Sequence, residues 1–231
     1  MNLQILLQAA GEAVASPAVQ AVPEKMNLWK MTTYGGPIMI ILAVMLALAV
    51  YLFVERVITI NNASKEDSSF MNRIKDYIHE GKIDSAIKLC RDTNSPASRM
   101  IEKGINRLGR PIGDVMLAIE NVGNLEVSKL EKSLVIMATI SGGAPMLGFL
   151  GTVTGMVLVF FNMTQNSSGV VQLIDLSTGM YQAMITTVGG LIVGILAYFG
   201  YNYLISRIDS VVRNLEGKTL EFMDMLNEPV K

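Results

Sequence analysis

Three long stretches without a charged residue constrain this chain more than any other feature of its sequence. They lie between Lys30 and Glu55, between Lys132 and Asp175, and between Asp175 and Arg207. A helix that crosses a lipid bilayer needs about 20 mostly apolar residues, and each stretch is long enough. Because 51% of the 231 residues are hydrophobic and only 17% are charged, the composition agrees. We therefore predict a membrane protein with three transmembrane helices.

The distribution of charge predicts seven segments and their sides of the membrane. Of the 19 Lys and Arg residues, 13 lie between residues 56 and 132 and four after residue 204, which places both regions in the cytoplasm by the positive-inside rule. The segments are an external N-terminal segment (1–34), transmembrane helix 1 (35–55), a cytoplasmic helical segment (56–132), transmembrane helix 2 (133–161), an external loop (162–178), transmembrane helix 3 (179–204) and a cytoplasmic C-terminal helix (205–231). The first 24 residues contain no Lys or Arg, which favours a retained segment over the alternative, a cleaved signal sequence.

The cytoplasmic segment has the pattern of helices separated by turns, so the predicted fold class is an all-α membrane protein. Ser95-Pro96 is a helix start, with Ser as the N-cap and Pro at the first position. The stretch from Val115 to Leu134 holds no strong helix breaker and is expected to run without interruption into transmembrane helix 2. The tail is expected to continue transmembrane helix 3 as an amphipathic helix whose apolar stripe is Ile205, Ile208, Val212, Leu215 and Leu220. Two transmembrane helices would thus extend into a cytoplasmic helical stalk.

The sequence lacks the residue combinations that common catalytic and metal sites need. The chain has one Cys and one His, Cys90 and His79, which excludes a disulfide framework and a His/Cys metal site within one chain. No Walker A loop and no Ser/His/Asp or Cys/His set is visible. We expect no catalytic residue, no metal and no cofactor, and a net charge near zero gives no reason to expect nucleic acid as a partner. The chain is not expected to be an enzyme.

Small and polar residues share one face in each of the last two apolar stretches. In transmembrane helix 2, Gly148, Thr152 and Gly155 are spaced i, i+4, i+7, and in helix 3, Gln182 and Thr186 begin a run at i, i+4, i+8, i+12. We expect the small residues to pack helices closely: Gly148, Gly151, Gly155, Gly190, Gly194 and Pro145. We expect the polar residues to line a pore or a cleft for another helix: Thr152, Thr187, Gln182, Thr186 and Thr154.

A simpler interpretation remains open for each polar residue. A Thr hydroxyl in a membrane helix can bond the carbonyl four residues before it, and an amide can bond a neighbouring helix. An unpartnered amide at membrane depth is nevertheless costly in free energy. No Asp, Glu, Lys, Arg or His lies in the core of any predicted span. If this chain moves protons, a partner must therefore supply the carboxylate.

Two sequence segments resemble a known family. "APMLGFLGTVTGM" at 144–156 and "GMYQAMITTVGGLIVGILAYFGYN" at 179–202 resemble the span-two and span-three signatures of the ExbB/TolQ/MotA proton-channel family, and the long external stretch is most like ExbB. The resemblance implies an inner-membrane homo-oligomer, a pentamer in contact with membrane lipids, around a central pore. It implies partners too: an ExbD-like single-span protein with an intramembrane Asp, and a TonB-like protein that receives work driven by the proton motive force.

The same resemblance assigns roles to three residues. Thr152 and Thr187 correspond by motif position to the pore threonines of the family. Gln182 departs from the pattern, since ExbB and TolQ relatives usually have Glu there, which puts in doubt a carboxylate of this subunit in proton transfer. A TolQ-like, gliding or stator motor subunit and a passive oligomeric scaffold remain as alternatives. A solute transporter is a weaker one, since no inverted repeat or substrate-coordinating charge is visible.

Overall fold

The computed structural model describes residues 36–64, 69–165 and 173–227, and within these ranges the chain is helical and has no strand. The helices are α1 (Gly36–Ser64), α2 (Phe70–His79), α3 (Ile83–Thr93), α4 (Pro96–Ile105), α5 (Ile112–Glu131), α6 (Leu134–Gln165) and α7 (Leu173–Asn227). The predictions for residues 1–35, for the middle of the external loop and for the last four residues lie outside the described ranges.

Three helical stretches are long and apolar enough to cross a membrane: α1, the nearly continuous α5 and α6, and α7. This confirms the predicted all-α membrane protein with three spanning helices. The apolar windows are mostly exposed, since only 17% of the window in α1 and 22% of that in α5–α6 is buried. Burying such surfaces requires lipid or other protein chains, because water would oppose their exposure.

Helix α1 packs along α7, and the two helices run parallel. At the end of the contact nearest the start of α1, the side chain of Gln182 lies beside Gly36, where an added Cβ would be 3.0 Å from its Nε2 atom. At the other end the Arg207 guanidinium donates a 2.8 Å hydrogen bond to the Asn61 side chain. Both pairs are separated by 146 positions, so one register holds along the whole contact.

The helices α2 to α5 and the end of α7 share a core. Its largest fully buried side chains include Phe70, Ile74, Ile101, Ile119 and Phe222. Gly104 of α4 lies where α5 and α7 converge, and an added Cβ would be 2.7 Å from Ile119 and 2.8 Å from Phe222. The amphipathic tail is therefore part of a packed helical stalk, as predicted.

The predicted start of α4 is confirmed. The Ser95 hydroxyl accepts a hydrogen bond from the Ser98 N–H, the Ser98 hydroxyl accepts one from the Ser95 N–H, and Pro96 is at the first helical position. This reciprocal capping satisfies two backbone donors that the first helical turn would otherwise leave unpaired.

The prediction that α5 runs without interruption into α6 is wrong, because Lys132 and Ser133 form a turn between them. In a continuous helix the Lys129 carbonyl would accept the N–H of residue 133. Here Arg56 of α1, which is 8% exposed, donates a 3.1 Å hydrogen bond to that carbonyl. A side chain 73 positions away in the sequence thus caps the end of α5, a contact that local sequence patterns do not reveal.

Helix α1 continues beyond residue 55, the end predicted for transmembrane helix 1, as far as Ser64. Ile60 on this extension is 2% exposed and belongs to the stalk core. One residue of the predicted tail stripe differs from expectation, since Leu220 is 60% exposed whereas Ile208 and Leu215 are buried.

A buried carboxylate joins α4 to α5, which the sequence patterns did not indicate. Glu126 is 4% exposed and accepts hydrogen bonds of 2.6 Å from both Arg99 and Lys129. Burial alone would raise the pKa of Glu126, but the hydrogen bonds from Arg99 and Lys129 outweigh it and lower the pKa below its ordinary value.

Candidate functional site: the threonines between α6 and α7

Helices α6 and α7 approach most closely where Gly148 faces Gly190. A Cβ added to Gly190 would lie 2.6 Å from the Ala144 carbonyl oxygen and 2.8 Å from the Gly148 Cα. One added to Gly148 would lie 2.9 Å from the Thr186 carbonyl oxygen. Only glycine at these two positions permits this backbone-to-backbone contact.

The other small residues expected to pack helices lie along the same contact. Gly151 faces the Thr186 side chain, where an added Cβ would be 2.5 Å from its Oγ1 atom. A Cβ added to Gly155 would lie 3.0 Å from the Ala183 Cβ, and one added to Gly194 would lie 2.5 Å from the ring of Pro145. The seam between α6 and α7 is thus built from small side chains over several turns of each helix.

Three threonine hydroxyls meet at this seam and share two carbonyl groups. The Thr187 hydroxyl donates to the Gly148 carbonyl of α6 at 3.2 Å, and the Thr152 hydroxyl is in hydrogen-bonding contact with the Thr187 hydroxyl. The Thr152 hydroxyl also lies 3.2 Å from the Ala183 carbonyl of α7, an alternative acceptor for its single proton. Thr186 donates to that same carbonyl at 2.7 Å. The result is a small polar network at membrane depth, in which each hydroxyl has a partner.

The three threonines differ in what they present to the outside. Thr186 is 2% exposed and lies inside the seam. In the single subunit its side chain is therefore buried between α6 and α7 and does not face a pore. Thr152 and Thr187 are half-buried. They are the members of the network that keep part of their surface open to a second chain or to water.

Two further residues predicted to line a pore lie apart from the network. Thr154 is exposed, and its hydroxyl donates to the Leu150 carbonyl of its own helix at 2.8 Å; two residues from Thr152, it lies on the other side of α6. Gln182 is exposed and lies beside Gly36, the first residue of α1. The simpler interpretation, a hydroxyl bonded to its own helix, thus describes Thr154 fully.

The network cannot itself bind and release protons near neutral pH, because hydroxyl groups donate and accept hydrogen bonds without titrating there. No Asp, Glu, Lys, Arg or His lies between residues 134 and 165 or between 176 and 206 of the described helices. The described part of the chain also contains no cluster of three His, Cys, Asp or Glu residues able to hold a metal ion. What the site offers is polar solvation for a group that another molecule brings.

Sequence patterns identified the threonines but missed the groups that bind them. The carbonyl oxygens of Gly148 and Ala183 are backbone atoms, and Ala183 carries no polar side chain that would mark it. The available signal was indirect: Gly148, Thr152 and Gly155 share a face, and a helix face of small residues brings a neighbouring backbone within reach of a hydroxyl.

Comparison with known proteins identifies the family. A sequence profile described as the MotA/TolQ/ExbB proton channel family matches residues 92–217, which is more than half of the chain and includes both faces of the threonine network. This chain belongs to that family. Together with the three apolar helices, this identifies a membrane protein of a proton-channel class.

Several named relatives are similar to this chain. A putative biopolymer transport protein ExbB homolog of Methanothermobacter thermautotrophicus is 27% identical over 191 residues, which cover 81% of this chain and 66% of that protein. The biopolymer transport protein ExbB of Aquifex aeolicus is 36% identical over 80 residues, 35% of this chain and 53% of that protein. The Tol-Pal system protein TolQ of Haemophilus influenzae is 24% identical over 187 residues, 76% of this chain and 81% of that protein. The matches thus span only part of the archaeal and Aquifex proteins.

Proposed function

We propose that this chain is the proton-channel subunit of an inner-membrane motor that converts the proton motive force into mechanical work for TonB-dependent transport across the outer membrane. The observation that carries the proposal is the contact between Thr152 and Thr187. Two half-buried hydroxyls lie at membrane depth, in spans that are otherwise apolar. The family description and the ExbB names of relatives support a proton channel of this type.

The missing titratable group defines the partner. The described spans carry no Asp, Glu, Lys, Arg or His near the threonines, so the proton carrier must be brought by a second protein. An ExbD-like single-span protein with an intramembrane Asp has the required chemistry, and its carboxylate would be solvated by the Thr152 and Thr187 hydroxyls. A TonB-like protein would receive the work.

An oligomer follows from the exposed apolar surface and the half-exposed threonines. Several copies in a ring, a pentamer by family resemblance, would cover these apolar surfaces and turn this seam toward a shared axis. The positive-inside rule places the N-terminus in the periplasm and α2 to α5 in the cytoplasm. Gln182 would then lie near the outer end of the pore and contribute hydrogen bonding rather than charge.

A TolQ-like motor is the second candidate, and the similarity to the Haemophilus TolQ favours it. It would use the same threonine site and the same kind of partner, but deliver work to envelope maintenance rather than to nutrient import. Growth on an iron chelate that needs outer-membrane transport separates the two. If this chain drives TonB-dependent transport, its deletion abolishes that growth. If it is TolQ-like, its deletion leaves the growth intact and weakens the envelope.

Replacing Thr187 by Val tests the role of the hydroxyl directly. Val has nearly the shape of Thr but cannot hydrogen-bond. We expect energised uptake to fall by about tenfold or more, the factor that corresponds to the net free energy of one buried hydrogen bond, while the oligomer still assembles. The matched control, Thr187→Ser, keeps the hydroxyl and is expected to retain most of the uptake. Full uptake in T187V would contradict the proposal, and loss of the oligomer in T187V would support a passive scaffold instead.

A further inference from the structure

An apolar groove of about 390 Å³ lies between α5 and α7 in the helical stalk. Met100 of α4 forms its floor beneath Gly123, where an added Cβ would lie 2.9 Å from the Met100 methyl group. Met116 and Leu220 stand on opposite walls and are 46% and 60% exposed. This surface lies in the region that we assign to the cytoplasm, so lipid does not cover it, and exposed apolar side chains in water favour a protein occupant.

The charges around the groove indicate what kind of segment fits. Among the described residues, its lining includes two carboxylates, Glu120 on α5 and Glu216 on α7, and no Lys or Arg. Both glutamates are exposed at the edges. A matching segment would therefore be short and apolar, with one or more Lys or Arg residues.

The position of the groove along α7 indicates which protein supplies that segment. Helix α7 is continuous from Leu173 to Asn227. At about 100° per residue, Val212, Glu216 and Thr219 of the groove lie within about 40° of the face that carries Thr187. At about 1.5 Å per residue they are roughly 38 to 48 Å further along the helix. The groove thus continues, on the same face, the surface that we assign to the pore.

We propose that this groove binds the cytoplasmic segment of the same single-span partner whose membrane helix occupies the pore. This inference rests on the proposed function and extends it to a second binding surface. An extended chain spans about 3.3 Å per residue and a helix 1.5 Å, so the segment begins roughly 12 to 32 residues from the pore threonines. A second copy of this chain is the competing occupant. However, the other strongly exposed apolar side chains of α5, Leu117 and Leu125, lie outside the groove and offer that copy a different surface.

A photoreactive benzoylphenylalanine at position 220 tests the occupant in the full complex within its own membranes. After irradiation we expect an adduct between this position and a small single-span protein with an intramembrane Asp, on a peptide from its cytoplasmic side. The control places the same amino acid at Asn214, an exposed position about 180° around α7 from Thr187. It should give no adduct with that peptide.

Charge reversal tests the recognition chemistry. In the position-220 background, Glu120→Lys combined with Glu216→Lys should lower the adduct about tenfold, because like charges at an interface are strongly unfavourable. The matched control combines Asp114→Lys on α5 with Glu221→Lys on α7, two exposed acids outside the groove lining, and should leave the adduct unchanged. Equal falls in both double variants would show general charge sensitivity and overturn this recognition.

The outcomes separate this inference from the proposed function. If the single-span protein co-purifies with the chain but position 220 forms adducts only with another copy, or none, the groove assignment is wrong and the pore proposal stands. If no single-span protein with an intramembrane acid is present in the intact complex, both proposals fail together.

Discussion

At the crossing of α6 and α7, two glycines, which have no Cβ atom, set the distance between the helices. Gly148 and Gly190 bring backbone against backbone, and this closeness lets the Thr187 hydroxyl reach the Gly148 carbonyl at 3.2 Å. In hydrocarbon such packing and hydrogen bonding must replace the hydrophobic driving force that water supplies elsewhere. The glycines are therefore the structural precondition of the threonine network.

Gly190→Ala is expected to destabilise the subunit by about 1–3 kcal/mol, the usual cost of overpacking. The new Cβ would lie 2.6 Å from the Ala144 carbonyl oxygen, a backbone atom that cannot turn away. The check is the midpoint of thermal unfolding in detergent. Gly142→Ala is the matched control, because Gly142 is exposed on the same helix pair and an added Cβ meets nothing within 4 Å. A G190A midpoint as high as that of G142A would contradict the close contact.

Sequence reasoning could identify this face but not which of its threonines is accessible. The spacing of Gly148, Thr152 and Gly155 is enough to place them together. Thr186 and Thr187 are neighbours about 100° apart around the helix, so the exact crossing point decides that one is buried and the other half-exposed. Thr154 was grouped with Thr152 by composition, although two positions along a helix turn a side chain to the other side.

At the scale of elements, the stalk depends on contacts between residues far apart in sequence. Helix boundaries from local signals were reliable where a cap is local, as at Ser95 and Pro96. Local signals did not predict the turn at Lys132–Ser133. There the Lys129 carbonyl accepts a hydrogen bond from Arg56, which belongs to another helix. The ion cluster of Glu126 was likewise invisible, since an isolated Glu in a charged segment normally faces water.

Glu126→Gln tests how much that cluster holds α4 against α5. Because the hydrogen bonds from Arg99 and Lys129 lower the folded-state pKa of Glu126 below its ordinary value of 4.5, its stabilisation is fully present above that pH. It is lost as the pH falls through the folded-state pKa. We expect the variant to be less stable by about 2 kcal/mol at pH 7, with the difference from wild type shrinking below pH 4.5.

The measurement is the unfolding midpoint of both proteins as a function of pH. Glu131→Gln, at an exposed position on the same helix, serves as the control and should match wild type throughout. A deficit of Glu126→Gln that stays constant down to the lowest pH would show that the carboxylate's charge is not the source of the stability.

At the scale of the whole molecule, the sequence predicted the number of spans because lipid permits few alternatives. Each backbone group must be bonded within its own helix, so long uncharged stretches have one outcome. It did not predict the groove between α5 and α7. Leu220 belongs to the apolar stripe of the tail, but the stalk core covers only part of that stripe. Leu220 stays exposed and lines the groove, which is visible only in the packed stalk.

The central claim is that several copies of this chain surround a partner that supplies the proton-carrying acid. Native mass spectrometry of the complex, extracted gently from its own membranes, tests it most directly. We expect a ring of this chain, five copies by family resemblance, together with copies of a small single-span protein that has an intramembrane Asp. A ring without any such protein, under conditions that preserve weak complexes, would contradict the account and make the threonine seam a scaffold contact.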